Sequence, residues 1–289
     1  MRISYLLAFL FLISCSSTNS HVSEVEEWRK KRIKSLTAPI GWASLSGLYW
    51  LDKDTLSIGG ENQDMVLTKS IENPVAMVYN ETGNWIFEGL TDGIQSETSS
   101  DQKIKISTGI DGKPTTLTWK QFQWTFIERG GKTGMRVWDT THVNRSKFTE
   151  LDYFPIDENF KIKANFVPYD PPLEITLKNV LGMDIPQTIP GELQFNIAGK
   201  DLTIQPLNGG EDEFFIIFAD ETTSGETYGG GRYLYIPKPE GGKGECYIDF
   251  NLSYTPPCGF TEYATCLLPT KENTLPVEIR AGEMYLFDH

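Results

Sequence analysis

The chain is poor in histidine, with three in 289 residues: His21, His142 and His289. A Ser-His-Asp site needs a histidine held in a packed pocket. Of the three, only mid-chain His142 suits that role, because His21 lies in a polar stretch and His289 is the last residue. No G-x-S-x-G elbow and no H-E-x-x-H is present, and a histidine-rich zinc site is likewise not expected. Classical serine hydrolases and zinc proteases are therefore poor readings, and neither a metal site nor a cofactor is expected. Positive charge is scarce as well: 26 Lys and Arg stand against 39 Asp and Glu, a net charge of −13. Such a surface repels a phosphate backbone, so nucleic acid is not an expected partner, whereas an unknown protein, peptide or carbohydrate ligand stays open. Beyond the first residues no apolar run approaches the roughly 20 residues of a bilayer span. With 39 acids, carboxylate pairs spaced for glycoside hydrolysis carry no information.

The start of the chain is distinctive. Met1-Arg2 gives a short positive beginning, Ile3 to Ile13 is almost unbroken apolar sequence, and Ser14-Cys15 closes it. This order is that of a secretory signal peptide ending in a lipobox, and it resembles bacterial lipoproteins, in which the cysteine is acylated and becomes the mature N-terminus. The expectation is a signal peptide over residues 1–14 and lipidation at Cys15. A polar tether would run over 15–22, and the protein would be lipid-anchored in the bacterial cell envelope, at the outer membrane or the periplasmic face. Each buried CH₂ contributes about 0.8 kcal/mol, so two or more acyl chains hold a protein stably at a membrane.

Ser23-Glu24-Val25-Glu26 has capping-box spacing. Val22, Val25, Trp28, Ile33 and Leu36 follow on one side of a 3.6-residue period, with Arg29, Lys30, Lys31 and Lys34 elsewhere. This predicts a helix over about 23–37, ended by Ala38-Pro39-Ile40-Gly41. Downstream the period is two: Phe122, Trp124, Phe126; Ile162, Ala164, Phe166; Leu173, Ile175, Leu177; Leu193, Phe195, Ile197. Half-buried strands of antiparallel sheets give this pattern. Phe214 to Phe218 is continuously apolar, as a strand buried on both faces would be. Asp111-Gly112, Ala198-Gly199-Lys200-Asp201 and Gly241-Gly242-Lys243-Gly244 read as hairpin turns. The fold class is therefore mostly β: antiparallel sheets, sandwich- or barrel-like, with one N-terminal helix. A division near residue 150 separates an N-terminal helix plus β-sandwich (23–150) from a C-terminal β domain (151–289). Tyr169-Asp170-Pro171-Pro172 is another candidate break.

Gly41-Trp42-Ala43-Ser44-Leu45-Ser46-Gly47-Leu48-Tyr49-Trp50-Leu51 resembles the opening signature of a bacterial family known as domain of unknown function 1684. The resemblance continues through Val180-Leu181-Gly182, Thr227-Tyr228-Gly229-Gly230-Gly231-Arg232-Tyr233-Leu234-Tyr235 and Asp249-Phe250-Asn251-Leu252-Ser253-Tyr254-Thr255-Pro256-Pro257-Cys258. It ends with Tyr263-Ala264-Thr265-Cys266 and Ala281-Gly282-Glu283. The family implies no activity. A weaker resemblance joins Leu56-Ser57-Ile58-Gly59 and Asp64-Met65-Val66-Leu67 to the opening of a forkhead-associated β-sandwich. The arginine and the downstream loop that would read phosphothreonine there are missing.

Two segments combine restricted backbone with polar side chains. Tyr228 to Arg232 has the composition of a backbone-amide nest beside a cation; the alternative is a bulge or close strand approach that only glycine permits. The tail from Asn251 to Glu262 faces it in this reading, which gives Tyr228, Arg232, Asn251, Tyr254 and Glu262 as ligand-binding candidates. Cys258 and Cys266 form a possible disulfide outside the cytoplasm, with buried thiols or a catalytic pair as alternatives, and Cys246 reads as a small core residue. The expected function is non-enzymatic binding or scaffolding. The alternative is an unassigned enzyme with a site near Arg232, Cys258 and Cys266.

Overall fold

The structure is a computed structural model and describes residues 17–97, 99, 101–110 and 112–286. The signal-peptide and lipidation readings at residues 1–15 lie outside the described residues, as do Asp111 of one expected turn and His289. Among the described residues the fold is mostly β, at 44% strand and 14% helix, with antiparallel sheets, one long N-terminal helix and no closed barrel.

Ten strands follow the helix to form the first half of the sheet structure: β1 (Leu45–Trp50), β2 (Thr55–Gly59), β3 (Met65–Val66), β4 (Ala76–Glu81), β5 (Asn84–Gly89), β6 (Gln95–Ser96), β7 (Lys103–Lys105), β8 (Thr116–Trp119), β9 (Phe122–Arg129) and β10 (Lys132–Asp139). They make two sheets, in the orders β1-β10-β9-β8-β6 and β3-β2-β4-β5-β7. The period-two pattern supplies the core between them. Leu117, Phe122, Trp124, Phe126, Met135 and Val137 from one sheet meet Leu56, Ile58, Val78 and Phe87 from the other. Gly130 and Gly131, at φ 56° and 73°, make the two-residue turn between Arg129 and Lys132, a left-handed geometry that glycine adopts without strain. β2 and β3 pair in parallel, Ile58 with Met65 and Gly59 with Val66.

The second sandwich contains β11 (Lys161–Lys178), β12 (Asp184–Ile197), β13 (Lys200–Ile204), β14 (Leu207–Asn208), β15 (Glu213–Phe218), β16 (Arg232–Pro237) and β17 (Gly244–Asp249). Its sheets run β13-β12-β11-β17 and β14-β15-β16. β15 is buried on both sides, as its apolar run requires. Phe214, Ile216 and Phe218 enter the main core, while Ile217 and Phe215 join a smaller cluster with Leu177, Tyr233 and Cys266. Ala198 and Gly199 form the expected hairpin turn between β12 and β13. Gly241–Gly244 does not form one: β16 pairs with β15 and β17 with β11, so this segment crosses between sheets. Nor does Tyr169-Asp170-Pro171-Pro172 break the chain. β11 runs through it, with its register against β12 shifted between Pro168 and Leu173, so the prolines sit at a bulge where no ladder hydrogen bond is needed.

The helix, α1 (Ser17–Leu36), starts earlier than its apolar period indicates. The expected tether is helical from Ser17, and Ser23 is an exposed mid-helix residue rather than a cap. Sequence order places α1 beside the first sandwich, yet its side chains hold mainly to the second half of the chain. His21, 6% exposed, bonds Asp249 Oδ2 through Nε2 at 2.6 Å. Arg29 donates to the Phe154 carbonyl at 2.9 Å and lies 4.2 Å from the centre of the Tyr153 ring. Arg32 donates from Nε to Glu283 at 2.7 Å and from Nη2 to the Thr255 carbonyl at 2.8 Å. Beyond the helix, a Cβ on Gly41 would stand 2.3 Å from the Leu36 carbonyl oxygen, so the chain turns back there only with glycine.

Candidate functional site

Arg136 lies on β10 with its neighbours Met135 and Val137 turned into the first core. A residue between two core positions of a strand faces the other side of the sheet, which in a free sandwich is solvent. Here that side is covered, and Arg136 is 8% exposed. Its Nη2 donates to Thr265 Oγ1 at 3.0 Å, and its guanidinium carbon lies 5.2 Å from the centre of the Trp42 ring. Nε is buried without a hydrogen-bond partner, and among the described residues no carboxylate pairs with the group. Burial holds the guanidinium down to about 10, so it is still cationic at neutral pH. A desolvated, unpaired cation is costly, which makes the space beside it informative.

That space is a cavity of about 1190 Å³ between the first sandwich, α1, the second sandwich and the C-terminal tail. α1 contributes Trp28 and Arg32, the turn after β9 contributes Gly130 and Gly131, and the tail contributes Tyr254, Thr265 and Cys266. One wall is a run of aromatic rings. Phe215 stacks on Tyr235 at 4.7 Å and meets Tyr233 edge-on at 4.8 Å. Tyr233 meets Tyr254 at 6.0 Å, and Tyr254 meets Trp28 at 6.3 Å. The charges are unlike those of the whole protein: Lys31, Arg32, Arg129 and Arg136 against Glu128 and Asp184. Arg32 is already neutralised by Glu283, itself 1% exposed, and Asp184 pairs with Lys178 at 2.5 Å. Arg136 is thus the buried charge in the wall left for a ligand.

Of the five ligand-binding candidates read from sequence, Tyr254 lines this cavity. Arg232 does not. It is 1% exposed, donates to Asp220 Oδ2 at 2.6 Å and to the Ile279 carbonyl at 2.8 Å, and bonds the Ala281 carbonyl as well. Its charge and donors are consumed inside the second sandwich. Gly231 has the close-approach role instead, at φ 80° with a Cβ position 2.5 Å from the Phe218 carbonyl oxygen. Asn251, fully buried, donates to the Asp157 carbonyl and to Asp249 Oδ1, both at 2.9 Å, and accepts from Asp157 N–H at 3.0 Å; it is a clasp between segments. Tyr228 packs edge-on against Tyr285 at 5.0 Å, and burial pushes its hydroxyl up to about 12. Glu262 is exposed and outside the cavity wall.

Cys246, Cys258 and Cys266 are free thiols. Cys246 sits in β17 facing the second core. Cys258 and Cys266 lie side by side: Cys258 N–H donates to Cys266 Sγ at 3.1 Å and Cys266 N–H to Cys258 Sγ at 3.3 Å. Neither His21 nor His142 lines the cavity, so among the described residues no histidine base faces the space that Arg136 marks. Sequence reasoning missed Arg136 and the aromatic wall. The available signal was a lone arginine inside an otherwise apolar strand, Met135-Arg136-Val137-Trp138.

The fold and site together describe a two-sandwich β protein with a basic, aromatic cavity in an acidic body. The model of a family described as "Protein of unknown function (DUF1684)" matches residues 146–284, which supports that family for the second half of the chain. The stretch contains the glycine-rich and cysteine-containing motifs; the Gly41–Leu51 signature lies before it. A solution NMR structure of the uncharacterized protein from gene locus rrnAC0354 of Haloarcula marismortui is 26% identical, over 50% of this chain and 82% of that chain, with a TM-score of 0.43. No curated protein matches. Neither description names an activity.

Proposed function

We propose that this protein is a lipid-anchored binding protein of the bacterial cell envelope whose cavity takes a small amphipathic anion: an apolar or aromatic body bearing one carboxylate or phosphate. The observation that carries the ligand class is Arg136, desolvated and without a carboxylate partner, at the edge of a cavity walled by Trp28, Tyr233, Tyr235, Phe215 and Tyr254. An anion there would regain for the guanidinium what burial removes, through charge-assisted hydrogen bonds, while the rings would cover the apolar body. Binding rather than catalysis is favoured because, among the described residues, the wall offers a cation and aromatic faces but no histidine base. The anchor rests on the lipobox ending at Cys15. In this reading Cys15→Ser moves the protein out of the membrane fraction, and unchanged fractionation together with an unchanged mature mass would count against it.

The cavity is tested with 8-anilino-1-naphthalenesulfonate, an anionic aromatic probe, displaced by decanoate or decyl phosphate. The wild type should bind with quenching of tryptophan emission, and Arg136→Gln should weaken binding at least tenfold, about 1.4 kcal/mol. Equal affinity for the two proteins would remove Arg136 from the site and the reading with it.

A further inference from the structure

We infer that Cys258 and Cys266 are a reversible dithiol–disulfide couple beside the cavity, whose wall Cys266 lines. The two sulfurs lie between two backbone segments that address each other reciprocally, each N–H donating to the opposite Sγ at 3.1 and 3.3 Å. The Cys258 side is fixed by Pro256, Pro257 and the turn they open, in which Gly259 N–H bonds the Pro256 carbonyl at 2.9 Å. The Cys266 side is fixed by Val180 N–H on its own carbonyl at 2.9 Å and by Tyr233, whose hydroxyl bonds the next carbonyl, that of Leu267, at 2.8 Å. Two preset thiols need little rearrangement to join. No third His, Cys, Asp or Glu gathers with them among the described residues, so the pair is short of a metal-binding set.

The two sulfurs differ in character. The hydrogen bond from Cys266, with the Cys266 N–H and the nearby Arg136 charge, lowers Cys258 below the ordinary thiol value. The same shared hydrogen bond, with burial, raises Cys266. Cys258, half-buried where Cys266 is 7% exposed, is therefore the attacking thiolate and Cys266 the resolving thiol. The co-reactant is a disulfide of the small-molecule or protein class. Cys258 thiolate attacks one sulfur of R–S–S–R′ and expels R′S⁻, leaving a mixed disulfide. Cys266 then loses its proton, attacks Cys258 Sγ and expels RS⁻. The Cys258–Cys266 bond forms, the external disulfide is reduced to two thiols, and two electrons pass between them.

The couple has a consequence for Arg136, whose Nη2 is held by Thr265, the residue before Cys266. Whenever Cys258 ionises in the dithiol state, its negative charge shares the guanidinium's field; in the disulfide state neither sulfur can ionise and an incoming anion meets the full cation. Anion affinity is thus higher in the oxidised protein. This link rests on the cavity reading above, while the couple itself does not.

The test equilibrates the full soluble chain in glutathione redox buffers, traps thiols with iodoacetamide and counts them by mass spectrometry. Cys258 and Cys266 should disappear together in one two-electron transition, unchanged by Cys246→Ser. In Cys258→Ser, Cys266 should form no internal bond. Two alkylatable thiols at Cys258 and Cys266 in the most oxidising buffer, or stable glutathione adducts in place of the internal bond, would overturn the couple. Anilinonaphthalenesulfonate should bind the oxidised form at least threefold more tightly. Equal affinity would overturn the link to Arg136. Absence of binding to either form would defeat the cavity reading, and the thiol count would still decide the couple.

Discussion

In the second sandwich Arg232 is 1% exposed and both terminal nitrogens of its guanidinium are answered: Asp220 on one side, the carbonyls of Ile279 and Ala281 on the others. Arg136 of the first sandwich is 8% exposed and has one neutral partner, Thr265, with Nε left bare. The residue type and the burial are close, and the roles are opposite. Arg232 ties strands β15 and β16 to the tail that packs beneath them. Arg136 reaches out of its own sandwich into the cavity. A buried arginine is read by its partners before its position, and the one short of partners is the one with work left to do.

The largest effect that separates the two is on stability. Asp220→Ala leaves Arg232 buried and uncompensated, and removing one partner of a buried pair costs about 3–5 kcal/mol. Asp220 also accepts from Ile279 N–H and the Thr222 hydroxyl, so urea unfolding should show a loss in that range. A loss below about 1 kcal/mol would mean that the pair is not the keystone of the second sandwich.

The sequence carried the fold class and hid this contrast. Period two in Phe122, Trp124 and Phe126 and in Ile162, Ala164 and Phe166 is a local signal, and those residues do face the two cores. The helix was legible from Val25, Trp28 and Leu36, but its first turns were not, because residues 17–21 are polar and carry no apolar period. What fixes that end is His21 on Asp249, 228 positions away, a tertiary contact with no local trace. Tyr228-Gly229-Gly230-Gly231-Arg232 drew attention as a nest beside a cation. The glycine at 231 is instead required by the Phe218 carbonyl, and the arginine by Asp220. Arg136 occupies the outward position of a two-sided strand, between Met135 and Val137 of the core, and would face solvent if the first sandwich stood alone.

The smaller effect sharpens the same contrast from the other side. Arg136→Gln removes a desolvated charge and keeps a group able to donate to Thr265, so stability should stay within about 1 kcal/mol of wild type even as probe affinity falls. A loss as large as that of Asp220→Ala would show that Arg136 is a structural group like Arg232, and the comparison would collapse.

The position of α1 also sets an order of events during synthesis. The helix leaves the ribosome before the groups that hold His21 and Arg32, which are Asp249, Thr255 and Glu283. The ten strands between Leu45 and Asp139 complete their ladders with one another and have what they need long before that. The helix must therefore wait, basic and apolar along one side, while the first sandwich forms behind it, and its docking is complete only when the tail arrives. Contacts of such separation are slow to close, so a chain stopped before Asp249 would leave its first helix undocked. The cavity, which takes one wall from the helix and another from the tail, is the last part of the molecule to come into being.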